Sequence, residues 1–161
     1  MKILRNSAFV VVAIATLLSF SGCDPDPVGP TIEEEQLAKL SGTWTVAGSG
    51  TDVTLQAVSK KTEYAAFELT LTGTPGATSF GYTTAGRPAT LSPWPSSGTW
   101  EFGESPETMV KRDPDKPNEV VNMTYSVSDT QLQIVFNFAG AGYSRTKVVT
   151  GEWVFTLNKK P

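Results

Sequence analysis

The sequence predicts an all-β fold: a single small antiparallel β-barrel of about 8–9 strands, with a β-sandwich as the alternative. Three observations carry the prediction. From Leu40 onward, apolar and polar residues alternate with a period of two in run after run. Each run is fenced by Gly, Pro, Ser or Asp, the residues that end strands and build turns. Helical periodicity is confined to Glu33 to Leu40, about two turns.

The first strand candidates are short, Gly42 to Ala47 and Val53 to Val58. Ala65, Phe67, Leu69 and Leu71 then alternate with Ala66, Glu68, Thr70 and Thr72. Phe80 to Thr84, Gly98 to Phe102 and Thr108 to Lys111 follow as further short candidates. Val121, Met123, Tyr125 and Val127 make one apolar face, and Leu132, Ile134, Phe136 and Phe138 make the longest. Ser128-Asp129-Thr130 joins those two runs as a tight turn, so they read as a hairpin. Gly151 to Leu157 is the last candidate.

Upstream of this region the chain reads as an address. Lys2 and Arg5 precede an apolar stretch from Ala8 to Leu18, eleven residues where a membrane span needs about 20. The charged flank, the short apolar run and the small residues after it have the form of a secretory signal peptide. The run ends Leu18-Ser19-Phe20-Ser21-Gly22-Cys23, which resembles the lipobox of bacterial lipoproteins. That resemblance implies removal of residues 1–22 and acylation of Cys23, whose two or three chains would anchor the protein stably. Residues 23–39 read as a tether. Asp24 to Gln36 holds three prolines and five acidic residues, so an extended, semi-rigid stretch is expected. Residues 40–161 form the β domain.

Composition narrows the chemistry. The chain has 161 residues, no histidine and one cysteine. Those counts exclude a His-based nucleophilic triad, a His or Cys zinc site, a c-type haem attachment and an intramolecular disulfide. No cofactor or metal is expected. The net charge of −3 speaks against nucleic acid as a partner. It divides unevenly: without Lys2 and Arg5 there are 11 basic and 16 acidic side chains, and Asp24, Asp26, Glu33, Glu34 and Glu35 supply the whole excess.

A small pattern recurs. Gly42-Thr43-Trp44, Gly98-Thr99-Trp100 and Gly151-Glu152-Trp153 are each Gly-x-Trp, beginning 56 and then 53 residues apart. A glycine lets the chain enter a strand through a tight bend, and the indole two positions on faces the interior. Three such indoles are expected to close one end of a barrel. No similarity extends between them, so this is a local solution and not a repeat array.

Leu40-Ser41-Gly42-Thr43-Trp44-Thr45-Val46 resembles the Gly-x-Trp opening of the lipocalin and calycin superfamily. Together with the lipobox, the tether and the final Gly-Glu-Trp-Val-Phe strand, it is similar to the lipocalin-like lipoproteins of Bacteroidota. The resemblance spans roughly Leu40 to Lys159. It implies that Trp44 packs across the closed end of the barrel against a basic residue near the last strand, with Arg145 or Lys147 as candidates. It also implies an envelope location, with the outer membrane favoured and the surface or periplasmic face left open.

Other constellations read as ordinary structure. Glu101, Glu104 and Glu107 are the carboxylates available to an enzyme, but they sit at a strand end and in a loop, where solvated charge is the usual outcome. Asp113-Pro114-Asp115-Lys116-Pro117-Asn118-Glu119 has oxygen ligands at calcium-loop spacing, yet it lacks the glycine turn and carries Lys116. It reads as a polar hairpin loop. Gly140 to Arg145 reads as a mobile hairpin displaying Tyr143. Pro93-Trp94-Pro95 cannot be a central strand, so Trp94 either folds over the open end as a lid or stacks on a ligand.

The expected function is a non-enzymatic, membrane-anchored binding module for a small hydrophobic or glycan-like ligand. Trp44, Phe67, Tyr82, Trp100, Tyr125, Phe136 and Trp153 would line its interior, and Trp94 and Tyr143 would frame its mouth. The competing class is an accessory envelope lipoprotein with a filled core, acting through a protein partner. Cavity size separates the two.

Overall fold

A computed structural model of the chain describes residues 29–90, 92–140, 142–143 and 149–161. The signal segment, Cys23 and the two basic candidates Arg145 and Lys147 lie outside the described residues.

The chain enters through helix α1 (Ile32–Leu40). Thr31 caps it: the Glu34 backbone N–H donates to Thr31 Oγ1 at 3.2 Å, and the Thr31 N–H donates to the Glu34 carboxylate at 3.0 Å. This reciprocal box satisfies two N–H groups that have no partner within the helix, a contribution of about 1 kcal/mol. Glu33, Glu34 and Glu35 occupy the first turn, where the helix dipole favours negative charge. The acidic run of the expected tether is therefore a helix start. Leu37 and Leu40 are buried against the barrel, so the folded unit begins earlier than residue 40.

Ten strands follow: β1 (Gly42–Thr45), β2 (Asp52–Leu55), β3 (Val58–Ser59), β4 (Glu68–Thr72), β5 (Phe80–Ala85), β6 (Ser97–Phe102), β7 (Met109–Arg112), β8 (Val121–Val127), β9 (Gln131–Phe138) and β10 (Gly151–Lys159). All pairings are antiparallel. The order β1-β4-β5-β6-β7-β8-β9-β10 returns to β1, because Trp44 and Thr45 also register with Lys159 and Asn158. Eight strands close a barrel. β2 continues along the edge of β10 that β1 has left, and β3 folds back on β2.

Alternation is legible in burial. Val121, Met123 and Tyr125 of β8, Leu132, Ile134 and Phe136 of β9, and Trp153, Phe155 and Leu157 of β10 all point inward. Two boundaries differ from the sequence reading. The run expected from Ala65 becomes strand only at Glu68, since residues 61–66 are turns that lay Tyr64 and Phe67 into the core. The expected strand 53–58 is a hairpin, turning at Gln56 and Ala57.

That turn is strained. Gln56 and Ala57 have φ of 49° and 61°, the left-handed region that glycine and asparagine tolerate and other residues resist. Replacing Gln56-Ala57 with Asn-Gly keeps the Gln56 N–H bond to the Glu152 carbonyl and removes the strain. Thermal unfolding should show a gain of about 1–2 kcal/mol.

Two of the three Gly-x-Trp segments share one local structure. Gly42 and Gly151 take φ of 129° and 138°. Each following indole then donates to the carbonyl four residues before it, Trp44 to Leu40 at 2.8 Å and Trp153 to Val149 at 2.9 Å. Trp100 differs, donating across to the Gly81 carbonyl at 3.0 Å. All three indoles are buried, but they do not close one end together. Trp44 lies at the end that α1 covers, Trp153 enters from the opposite end, and Trp100 packs on Phe80 in the wall, 4.6 Å between ring centroids.

Candidate functional site

The end covered by α1 is sealed. Trp44 is fully buried, and Lys159 Nζ stands 5.2 Å from its ring centroid, so the cation at this tryptophan comes from β10 itself. The Lys159 ammonium also donates to the Lys39 carbonyl at the helix C-terminus, where positive charge is favoured. Tyr125 donates to the Pro106 carbonyl and to Gln36 Oε1 of α1, at 3.3 Å in the latter case. A surface groove of about 480 Å³ beside the helix is lined by Glu35, Lys39, Asp129 and Lys159, opposite charges that give it no preferred ligand sign.

The opposite end is formed where β5 meets β6, where β7 meets β8 and where β9 meets β10. Pro93-Trp94-Pro95 turns inward there, and Trp94 is 2% exposed: it is the lid. Its ring packs against Phe67, Tyr82, Phe136 and Phe155 at centroid distances of 5.6–6.5 Å. The segment is fastened on all sides. Arg87 Nη1 donates to the Trp94 carbonyl at 2.9 Å, Thr84 Oγ1 to the Pro95 carbonyl at 2.6 Å, and the Tyr143 N–H to the Ser92 carbonyl at 3.0 Å.

Beneath the lid lies a feature that the sequence reading missed. Arg112 and Asp113, at the end of β7, are 1% and 0% exposed. Arg112 Cζ sits 4.8 Å from the Trp94 ring centroid, with Phe136, Phe138 and Tyr143 at 5.7–5.9 Å. Its Nη1 donates to the Pro93 carbonyl at 3.0 Å, holding the lid down. Its Nε lies 3.3 Å from Asp113 Oδ2 as an ion pair without hydrogen-bond geometry, and among the described residues neither Nε nor Nη2 has a hydrogen-bond partner. The Trp94 indole N–H likewise has none among them. Burial lowers the Arg112 pKa from its ordinary value.

Asp113 is better served. It accepts from the Tyr82 hydroxyl at 2.7 Å, from Lys116 Nζ at 3.3 Å and from the Thr99 N–H at 3.4 Å. With Asp113 turned inward and Asp115 taken by the Thr99 hydroxyl at 2.5 Å, these two carboxylates of the 113–119 loop serve the fold. Among the described residues, no group of three or more Asp, Glu, His or Cys is placed to hold a metal ion. Glu101, a candidate carboxylate, pairs with Lys111 at 3.5 Å.

The eight aromatic candidates thus divide. Tyr82, Trp94, Phe136 and Tyr143 meet around Arg112, with Tyr143 donating to Glu119 Oε2 at 3.2 Å. Trp44 and Tyr125 belong to the sealed end, Trp100 to the wall, and Trp153 stacks on Phe155 below Tyr64. The central cavity is about 30 Å³, bordered by Leu71, Tyr82, Trp94, Trp100, Arg112 and Tyr125 among others. That is room for about two water molecules.

No family model, curated protein or solved structure matches this chain.

The buried tyrosines make the fold sensitive to alkali. Burial raises the Tyr64, Tyr82 and Tyr125 pKa values, and the Asp113 carboxylate raises Tyr82 further. A raised folded value means that the unfolded chain loses these protons first, so stability is intact below about pH 10 and falls as pH rises beyond it. Denaturant midpoints between pH 8 and 11.5 should decline only above about pH 10. Tyrosinate absorbance from these three rings should appear together with unfolding.

Proposed function

We propose that this chain is a non-catalytic, membrane-tethered accessory module of a bacterial envelope, lipocalin-like in kind, that works through its outer surface on a protein partner. The observation that carries this reading is the cavity of about 30 Å³, far below the 300–1,000 Å³ of a site for an apolar ligand. The aromatic side chains that would have lined a ligand pocket fill it instead. The lipocalin-like part of the reading is supported by the closed barrel, the helix across one end, and Trp44 packed under Lys159. The anchor rests on the lipobox-like run ending at Cys23, and the outer membrane on its resemblance to Bacteroidota lipoproteins.

Two experiments test the reading. Titration with oleate, retinol and oligosaccharides should leave the tryptophan fluorescence unmoved, and stoichiometric quenching by any of them would overturn the filled-core function. Metabolic labelling with a palmitate analogue should mark the protein and be lost in Cys23→Ser; retained label removes the anchor.

A further inference from the structure

The unpaired donors beneath the lid have a chemistry of their own. We propose that the Arg112 end of the barrel is a binding site for a compact aromatic carboxylate, which displaces the Trp94 indole and presents its carboxylate to the guanidinium. A buried guanidinium ordinarily has its N–H groups satisfied, and leaving them bare is costly. Among the described residues, Nε and Nη2 have no partner in hydrogen-bond geometry, Nε meeting Asp113 only as an ion pair and the Tyr143 hydroxyl standing beside the guanidinium, while Nη1 donates to the Pro93 carbonyl, which belongs to the lid. When the lid leaves, all three nitrogens want acceptors. A carboxylate supplies two coplanar oxygens and matches the planar fork of arginine.

Charge agrees. Arg112 and Lys116 both lie on Asp113, two cations on one carboxylate, and Lys116 is partly exposed. Of the other acids here, Asp115 is taken by the Thr99 hydroxyl and Lys116, and Glu119 is exposed and accepts from the Tyr143 hydroxyl. An added carboxylate would meet the Arg112 guanidinium itself, which carries the unsatisfied donors at this end. The ring requirement comes from the surroundings of Trp94: Phe67, Tyr82, Phe136 and Phe155 meet it at tilted to near-perpendicular interplanar angles of 44–89°, and Arg112 faces it. An aromatic ring in the indole's place regains both the edge contacts and the cation–π contact. An aliphatic tail regains neither. Pro93 and Pro95 stiffen the lid, and the bonds that a ligand would have to break to displace it are those to its Pro93, Trp94 and Pro95 carbonyls.

This site goes beyond the function proposed above and does not depend on the anchor. A negative result with oleate and a positive one here are separate outcomes. The test uses the full chain, ¹⁵N-labelled in detergent, and follows its four tryptophan indole N–H resonances during titration with phenylacetate or phenylacetamide. Trp94→Phe assigns the Trp94 signal. Phenylacetate is expected to move that signal saturably, and the neutral amide to leave it in place. Trp94→Gly, followed by calorimetry because its own indole signal is gone, no longer has to expel the ring and should bind phenylacetate at least about tenfold more tightly. Arg112→Lys keeps the charge but loses the fork, and should weaken binding about tenfold. No saturable shift in the unmodified protein overturns the proposal. So does Trp94→Gly binding the amide as tightly as the acid, since shape alone would then explain the binding. If Trp94→Gly does not fold, the acid–amide comparison in the unmodified protein decides.

Discussion

Replacing Asp113 with alanine is expected to destabilise the protein by about 3–5 kcal/mol, the range for leaving a buried charge without its partner. Arg112 is 1% exposed, so its charge is poorly solvated once the carboxylate is gone. Tyr82 loses the acceptor of its hydroxyl and Thr99 that of its N–H in the same step. The double variant Arg112→Met with Asp113→Ala should recover much of the loss, because an apolar chain of similar volume suits the rings of Trp94, Phe136 and Phe138. A double-mutant cycle in denaturant measures the difference directly. Near-equal losses for the single and double variants would show that packing, and not charge pairing, dominates at this end.

Gly98→Ala is the second large effect expected, a loss of about 3 kcal/mol at the upper end of overpacking changes. A Cβ at this position would stand 2.0 Å from Asp113 Oδ1 and 2.6 Å from the Tyr82 hydroxyl oxygen, so the carboxylate would have to leave the position in which it meets tyrosine and arginine. Its left-handed neighbours in the motif, Gly42 and Gly151, are needed for backbone reasons, whereas Gly98 is needed for space. Chemical denaturation should show the loss. In an Asp113→Ala background the same substitution should cost less, since the closest atom it strikes is absent and only the Tyr82 ring still has to shift.

The fold was largely readable because its strands are half-buried. In β8, β9 and β10 the side chains alternate between core and solvent, and the sequence carries that alternation without interruption. The short turns at Gln56–Ala57 were invisible because neither residue favours the conformation it adopts. The candidate site was half readable. The aromatics announced themselves by type and by position, but a sequence assigns no end of the barrel to each, and Trp44 and Tyr125 fall far from Trp94. Asp113 reads from the sequence as part of a polar hairpin loop, and Arg112 falls between that loop and the strand candidate ending at Lys111. One signal was available: Val110 borders the cavity, and a period of two from Val110 places Arg112 on the same inward face. Arginine and aspartate are seldom buried unless paired, so their charge masks that signal.

The position of β10 has a kinetic consequence. It lies between β9 and β1 and carries β2 along the rest of its edge, so three strands depend on it for their hydrogen bonds. Trp44, in the first strand, is registered with Lys159 at the far end of the last. Local hairpins such as β8–β9 can form early, but the ring has no closed state until β10 is present to join its two ends. Such closure pairs residues distant in the chain, and folding on the scale of milliseconds to seconds is expected of it. A chain stopped before Gly151 would leave β1, β2 and β9 with open edges, which makes the last strand the keystone of assembly as well as a wall of the barrel.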